Sequence, residues 1–222
     1  MEKFNLYKEI FHPSWIEPLR EAGCLDELDA IISYLDLLYE STTVFPRKAE
    51  VFRVFKNDYK NAKVVLLGQD PYHSIHNGHP DACGYSFLTE NKYQPPSLKN
   101  MFKELCNDVP RAIQTDISNY NFISWVEQGV LMLNTALTVE SGKANSHALV
   151  WKTWSEKLIA YLVENRKDIV WILLGKQAEK MLQDYECRKV IAAHPSPLAG
   201  GKFFGSKIYS KTNDLLTTKI KW

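Results

Sequence analysis

Four short apolar segments of the chain each end in side chains that could do chemistry. They cover residues 63–68, 130–134, 168–175 and 189–194. The polar residues at or just after these ends are Gln69, Asp70, Tyr72, His73, Asn134, Lys176, His194 and Ser196. A carboxylate can stabilise a cation, a histidine can donate a hydrogen bond or a proton, and an amide can recognise one donor and acceptor pattern. An acid, an amide and a histidine from distant segments are typical of an active site.

Each of these residues also has an ordinary structural role. An aspartate such as Asp70 often caps a helix, and a histidine before proline, such as His194, often completes a turn. Phe87 in an apolar stretch would usually belong to the core. A single such residue therefore indicates little, and the hypothesis of an active site depends on their convergence.

The apolar segments themselves predict how that convergence arises. Each is continuous rather than alternating, which is typical of a strand buried on both faces of a parallel sheet. Helical patterns separate them, so crossover connections should place helices on both faces. We therefore predict a three-layer α/β/α sandwich with a central four-stranded parallel sheet. In such folds ligands bind beyond the carboxyl ends of the strands, where the polar residues lie.

Four helices are predicted between and before the strands. Residues 25–39 carry Leu25, Leu28, Ile32, Leu35 and Leu38 on one face. The spacing of apolar residues from Leu98 to Val109 predicts a second helix, with the Ser97 hydroxyl as its N-cap. A third carries Trp151, Trp154, Leu158 and Leu162, and a short fourth runs from Lys176 to about Asp184.

Composition predicts one compact domain over residues 1–222, since 45% of the residues are hydrophobic and no repeat or linker divides the chain. Twenty-seven basic residues nearly balance 26 acidic ones, so any contact with nucleic acid must be local. The last 24 residues offer either a basic patch or merely a solvated tail, through Lys202, Lys207, Lys211, Lys219 and Lys221.

Location is predicted from what the sequence lacks. The four cysteines are scattered, which favours a reducing compartment. The N-terminus has no signal or transit character, and no apolar run is long enough to cross a membrane. We expect a protein that is not secreted and does not contact a membrane. Its compartment would be the cytoplasm, or the nucleus of a eukaryotic or virus-infected host.

Several motifs in order resemble the uracil-DNA glycosylase family. They are GQDPYH after KVVLLG, PPSL, WxxQGVLMLN followed by LTV, NSH, and HPSPL with FFG, spanning about residues 51–216. The resemblance implies the same four-stranded parallel sheet between helices. It also implies a monofunctional, metal-independent hydrolase with no cofactor. Such an enzyme cleaves the N-glycosidic bond of flipped-out deoxyuridine in DNA, releases uracil and leaves an abasic site for base excision repair.

Catalytic and base-binding roles follow from that resemblance. Asp70 would stabilise the cationic sugar and orient the attacking water, and neutral His194 would donate to uracil O2. Asn134 would read the uracil edge, because one amide accepts from N3–H and donates to O4. Tyr72 would exclude the thymine methyl group, and Phe87 would stack on the base. The backbone amide of Gln69 would also contact the base.

DNA-contacting roles are implied in the same way. His73, Ser97 and Ser196 match phosphate-contacting positions, and Leu198 matches the apolar wedge that enters the base stack. Lys176 stands where the family has serine, so it would bind phosphate as a point charge. The implied partners are uracil-containing single- and double-stranded DNA and a proteinaceous DNA-mimic inhibitor. The expected protein is a monomer.

The chain departs from the family pattern in two loops. Residues 74–83 form a longer loop than usual, and the stretch after Leu198 is one residue shorter and contains Gly200 and Gly201. The longer loop could be a solvated insertion or a transition-metal site, whose ligands would be His73, His76, His79, Asp81 and Cys83. We expect no metal. The competing functions are a metal-dependent hydrolase and a glycosylase-like protein that only binds DNA.

Overall fold

The computed structural model describes residues 7–109, 117–118 and 120–222. Its strands, in chain order, are β1 (Val44–Phe45), β2 (Val64–Gly68), β3 (Ile75–His76), β4 (His79–Pro80), β5 (Val130–Asn134), β6 (Val139–Glu140), β7 (Val170–Leu174) and β8 (Arg188–Ala192). The α-helices are α1 (Ile16–Glu21), α2 (Cys24–Ser41), α3 (Pro96–Asp108), α4 (Ile123–Glu127), α5 (Ala148–Asn165), α6 (Lys176–Met181) and α7 (Ile208–Leu215).

Four strands form the central sheet in the order β5-β2-β7-β8, and every pairing is parallel. The strands β2, β5 and β7 are buried at every position, as their uninterrupted apolar sequences predict. The prediction of burial on both faces is wrong for β8. This strand forms an edge of the sheet, and Arg188 and Ile191 along it are exposed to solvent.

Helices flank the sheet and confirm the predicted three layers. Helices α2 and α5 pack against each other, and α5 buries Trp151, Trp154 and Leu158 in the core. Helices α3 and α7 pack against each other, and α7 contacts β7 and β8. The carboxyl ends of all four sheet strands therefore lie at one edge, where the loops after them meet. Among the described residues, no helix combines the length and apolarity needed to cross a membrane.

Three local predictions need correction. Ser97 does not cap α3, because the helix already begins at Pro96 with Pro95 at the cap position, and proline is favoured in a first helical turn. Helix α6 ends at Met181, which is earlier than predicted. The C-terminal segment is not a solvated tail, since Ile220 and Trp222 are buried in the core.

Candidate active site

Hydrogen bonds join the ends of β2 and β5, where the predicted residues begin. The backbone oxygen of Gln69 accepts from the Thr135 hydroxyl at 2.8 Å and from the Ala136 amide at 2.9 Å. The Thr135 amide donates to the oxygen of Gly68 at 3.0 Å. The parallel pairing of Gly68 with Asn134 thus continues into the loops, and Gln69 is held against the residues that follow Asn134.

Gly68 leaves the space that the Asn134 side chain occupies. A Cβ atom built on Gly68 would lie 2.2 Å from Oδ1 of Asn134 and 2.9 Å from Cβ of Ser86. Ser86 cannot easily move, because its amide donates to Met132 at 2.9 Å and its hydroxyl donates to Leu66 at 3.1 Å. Only glycine therefore allows the carboxamide of Asn134 its observed position.

Asp70 is a partly buried carboxylate that accepts hydrogen bonds from the backbone. Its Oδ2 atom accepts from the amide of Asn145 at 2.7 Å. Burial raises the pKa of Asp70, and the Asn145 amide, His73 and His194 oppose that shift. The side chain of Gln69 also donates to that of Asn145, whose backbone adopts a φ of 64°. The loop at Asn145 therefore orients the Asp70 carboxylate, and its hydrogen bond favours the ionised form against the effect of burial.

The protonation of His194 is set by its neighbours. The amide of Ser196 donates to Nδ1 of His194 at 3.1 Å, so a neutral ring must carry its proton on Nε2. Burial lowers the pKa of His194, against the opposing effect of Asp70, and this favours the neutral ring. Gly175 follows β7 with a φ of 91°, and a Cβ atom there would lie 3.1 Å from Cβ of His194. The site thus contains a neutral imidazole with an N–H group to donate.

Two aromatic side chains are joined by a hydrogen bond. Phe87 is buried, with a φ of 59° that few non-glycine residues adopt. Its backbone oxygen accepts from the Tyr72 hydroxyl at 2.9 Å, and burial raises the pKa of Tyr72, so the phenol stays neutral. The Phe87 ring lies 5.7 Å from the His194 ring, centroid to centroid. The segment is held in a strained but well-supported conformation.

One cavity of about 520 Å³ collects all of the predicted site residues except Lys176. The predicted residues that line it are Gln69, Asp70, Tyr72, His73, Phe87, Asn134, Ser97, His194, Ser196 and Leu198. Leu198 is 98% exposed at the rim. Lys176 lines an adjoining cavity of about 420 Å³, which shares Gln69 and His194 with the first. A carboxylate and a neutral N–H donor in one small cavity suit a reaction that separates positive from negative charge.

Sequence reasoning assigned no role to Asn145, Thr135 or Gly68. Asn145 contacts both Asp70 and Gln69, and Ala144 beside it lines the main cavity. The signal for Asn145 was present, because it opens the NSH motif. A contact made by its backbone amide does not follow from residue type, however, so only the fold reveals it.

The longer loop forms a hairpin of β3 and β4 that is exposed to solvent at Ile75 and His79. Asp81 is 1% exposed and lies 2.6 Å from Nδ1 of His76, whose ring stacks on Tyr93 at 3.5 Å. Asn91 donates to Asp81 at 3.2 Å and to the His76 backbone at 2.8 Å. Within the described ranges, no three His, Cys, Asp or Glu side chains are close enough to hold a metal ion. The hairpin geometry therefore gives the metal-site alternative no support.

Comparison with known proteins identifies relatives over most of the chain. The profile of the Uracil DNA glycosylase superfamily matches residues 55–217. A uracil-DNA glycosylase of Streptococcus sanguinis is 38% identical, with 95% of this chain and 98% of that protein covered. One of Haemophilus influenzae is 43% identical over 78% of this chain and 80% of that protein.

Solved structures of uracil-DNA glycosylases have a similar fold. Mimivirus uracil-DNA glycosylase superposes with a TM-score of 0.84 at 25% identity, covering 98% of this chain and 88% of that chain. A variant of mimivirus UNG in complex with UGI gives a TM-score of 0.85 at 25% identity, covering 97% of this chain and 90% of that chain.

Proposed function

Because the chain belongs to the uracil-DNA glycosylase superfamily and is a hydrolase that excises uracil from DNA in repair, we propose how its residues divide the work. The observation that carries the proposal is the single cavity that Asp70, Asn134 and His194 share. Cleavage of the N-glycosidic bond leaves positive charge on the sugar and negative charge on the base. The two charged centres need different neighbours, and this cavity supplies both kinds.

Asp70 acts on the deoxyribose of the scissile bond. Its carboxylate stabilises the oxocarbenium-like cation and accepts a hydrogen bond from the attacking water, which it orients. The amide of Asn145 holds one carboxylate oxygen and leaves the other for these tasks. Partial burial strengthens the attraction between carboxylate and cation, because little solvent screens it. No metal ion or cofactor takes part in this proposal.

His194 stabilises the departing uracil base. The tautomer fixed by the Ser196 amide leaves Nε2–H to donate to uracil O2 as negative charge develops there. A neutral donor suits this task, since burial disfavours the imidazolium form. The backbone amide of Gln69 would provide a second donor beside it.

Base selection depends on three side chains that line the same cavity. The carboxamide of Asn134 accepts from N3–H of uracil and donates to O4, whereas cytosine presents the reversed pattern. The ring of Tyr72 occupies the space that the C5 methyl group of thymine would need. Phe87 stacks on the flipped base. Gly68 supports this selection by leaving room for Asn134.

The DNA backbone is held at the rim. Ser97, Ser196 and His73 contact phosphates without reading sequence. The Nδ1 atom of His73 is buried and has no hydrogen-bond partner within the described part of the chain, so it is available to a ligand. Lys176 adds a point charge in the adjoining cavity. Leu198 enters the stack that the base has left and offsets part of the unstacking cost.

The protein works as one domain and as a monomer in this proposal. One large hydrophobic core, which runs from Tyr7 to Trp222, supports a single domain. A protein that imitates DNA would bind at the same cavity, a proposal supported by the UGI complex of the mimivirus relative. The compartment would be the one that holds the DNA, which is the cytoplasm of a bacterium or the nucleus of a eukaryotic host.

The test is excision of uracil from an end-labelled oligonucleotide with one uracil, in the presence of EDTA. Alkaline cleavage at the abasic site measures the product for the wild type and for Asp70→Asn and His194→Leu. We expect cleavage by the wild type alone, with DNA binding kept in both variants, since they act on charges that develop in the transition state. Wild-type rates in both variants would overturn the role assignment. Loss of wild-type activity in EDTA would favour metal-dependent hydrolysis, and binding without cleavage would favour a DNA-binding accessory.

A further inference from the structure

The loop that carries Leu198 is closed by short-range backbone hydrogen bonds and presents the leucine at an exposed tip. We define the wedge loop as residues 195–207. At its tip Leu198 is 98% exposed, and the next glycines, Gly200 and Gly201, have φ values of 63° and 75°. Glycine has the largest conformational freedom of any residue, so ordering this tip is costly. A loop of this kind needs support from outside if its leucine is to push against stacked bases.

Helix α3 supplies that support at both ends of the wedge loop. At the first end, the Asn100 side chain donates to the backbone oxygen of Pro195 at 2.7 Å. At the second end, the Glu104 carboxylate accepts from the amides of Gly205 at 2.7 Å and Lys207 at 2.8 Å. Helix α3 also contacts the 3-10 helix that includes Leu198. Two polar side chains one turn apart therefore hold the two ends of one loop.

Glu104 is a carboxylate in a position where charged side chains are rarely found. It is 1% exposed, and an ionised carboxylate is costly to bury unless hydrogen bonds compensate. The hydrogen bonds that its carboxylate receives come from the wedge loop, including a longer one of 3.3 Å from the Ser206 hydroxyl. Neither uracil binding nor the charge-stabilising chemistry of Asp70 and His194 uses this group.

We propose that Asn100 and Glu104 are positioning residues that fix both ends of the wedge loop so that Leu198 can enter duplex DNA. The inference rests on the proposed wedge role of Leu198. Insertion of Leu198 into a duplex must overcome base stacking. A loop that moves under this force would insert the leucine less effectively. A single strand presents no continuous stack, so excision from it does not require the support. The ratio of duplex to single-strand kcat/KM is therefore the informative quantity.

The substitutions follow from the geometry. Glu104→Gln replaces one acceptor oxygen by an NH₂ group, which must then face the Gly205 or the Lys207 amide donor. Asn100→Ala removes the hydrogen bond at the other end with less risk to folding, because Asn100 is only partly buried. Asp108→Asn is the matched control.

Asp108 is a partly buried carboxylate on the same helix and, like Glu104, accepts from backbone amides. It lies one turn further along α3, and its carboxylate accepts from the amides of Tyr209 at 3.0 Å and Ser210 at 2.9 Å and from the Ser210 hydroxyl at 2.5 Å. These donors belong to the first turn of α7, outside the wedge loop. Asp108→Asn therefore removes the same charge and disturbs a similar set of hydrogen bonds without touching the loop.

The experiment measures kcat and KM on one uracil oligonucleotide, as a single strand and paired with its complement. Glu104→Gln and Asn100→Ala should each lower duplex kcat/KM by roughly tenfold relative to single-strand kcat/KM, in line with the loss of a buried hydrogen bond. Asp108→Asn should leave the ratio unchanged. Added to Leu198→Ala, neither loop-end substitution should lower the ratio further, because the residue on which it acts is gone.

The outcomes separate this inference from the proposal beneath it. If Leu198→Ala lowers the ratio but both loop-end variants lower duplex and single-strand rates equally, Asn100 and Glu104 are structural residues and the wedge role survives. If Leu198→Ala itself leaves the ratio unchanged, the wedge role fails and this inference fails with it. Should Glu104→Gln not fold, Asn100→Ala and its combination with Leu198→Ala decide the question alone.

Discussion

Gly68→Ala tests how tightly the position of Asn134 is determined. The new methyl group would lie 2.2 Å from Oδ1 of Asn134, whereas ordinary contacts of this kind begin near 3.4 Å. The difference is about 1.2 Å, and Ser86 at 2.9 Å blocks relief on the other side. The carboxamide must therefore move by about 1 Å. A misplacement of that size in a site that positions substrate can lower a rate by roughly a hundredfold.

Stability should change much less than activity in this variant. Overpacking of a core position typically costs about 1–3 kcal/mol, and Gly68 has no left-handed φ that would add backbone strain. Gly142→Ala is the control for strain without a clash, because Gly142 has a φ of 74° and nothing within 4 Å of its added Cβ atom. It should lower the melting temperature while leaving excision almost unchanged.

The assay is single-turnover excision of uracil from a single strand, with thermal unfolding of the same preparations. Gly68→Ala should be folded at the assay temperature and slower than wild type by about a hundredfold. A folded Gly68→Ala protein with an excision rate within about threefold of wild type would refute the reasoning. Such a result would mean that the Asn134 amide tolerates displacement, and that base recognition depends on other contacts.

Further predictions concern charge and selectivity. Asp70→Asn should slow excision by at least about a hundredfold yet raise the melting temperature at pH 8. Burial raises the pKa of Asp70, so its ionised form destabilises the fold above that pKa, and the difference in melting temperature should vanish in acid. The pH dependence of wild-type kcat/KM should fall on the acid side with an apparent pKa above that of an exposed aspartate, because burial raises the pKa of Asp70. On the plateau at higher pH, His194 should already be neutral. An apparent pKa at or below that of an exposed aspartate would contradict this. Tyr72→Ala should release thymine, measured by chromatography, while Tyr72→Phe should not; thymine release by neither would contradict exclusion by the ring.

The fold was predictable because its signals are local and repeated. Continuous apolar segments over β2, β5 and β7 are long enough to define buried strands, and each is followed by helical periodicity. The error at β8 has a physical reason. The strand opens with Arg188 and Lys189 and lies at an edge of the sheet, whereas β5 lies at the other edge and is buried at every position. Which edge is covered depends on packing that the sequence pattern does not contain.

Site residues could be predicted from the sequence where the side chain makes the contact, but not where the backbone makes it. Asp70, Asn134 and His194 were recognisable because their chemistry is in their side chains. Asn145 contacts Asp70 through an amide that any residue has, and Gly68 acts by lacking a side chain. Ser97 shows the converse error, because the preference of serine for N-caps was overridden by the prolines before it.

Helix α3 couples the two ways in which this protein would hold DNA. Ser97 in its first turn lines the cavity and is the proposed phosphate contact, Asn100 one turn later bonds to the start of the wedge loop, and Glu104 a further turn on bonds to its end. Positions three to four apart lie on the same helix face, so a single rigid element carries all three. In the proposed mode of binding, the force that Leu198 exerts on the base stack would be carried by the same helix that contacts the DNA backbone. If the proposed phosphate contact and the wedge share this support, the losses caused by substituting Ser97 and Glu104 should not be additive on duplex DNA, and a double-mutant cycle of kcat/KM on duplex substrate measures this.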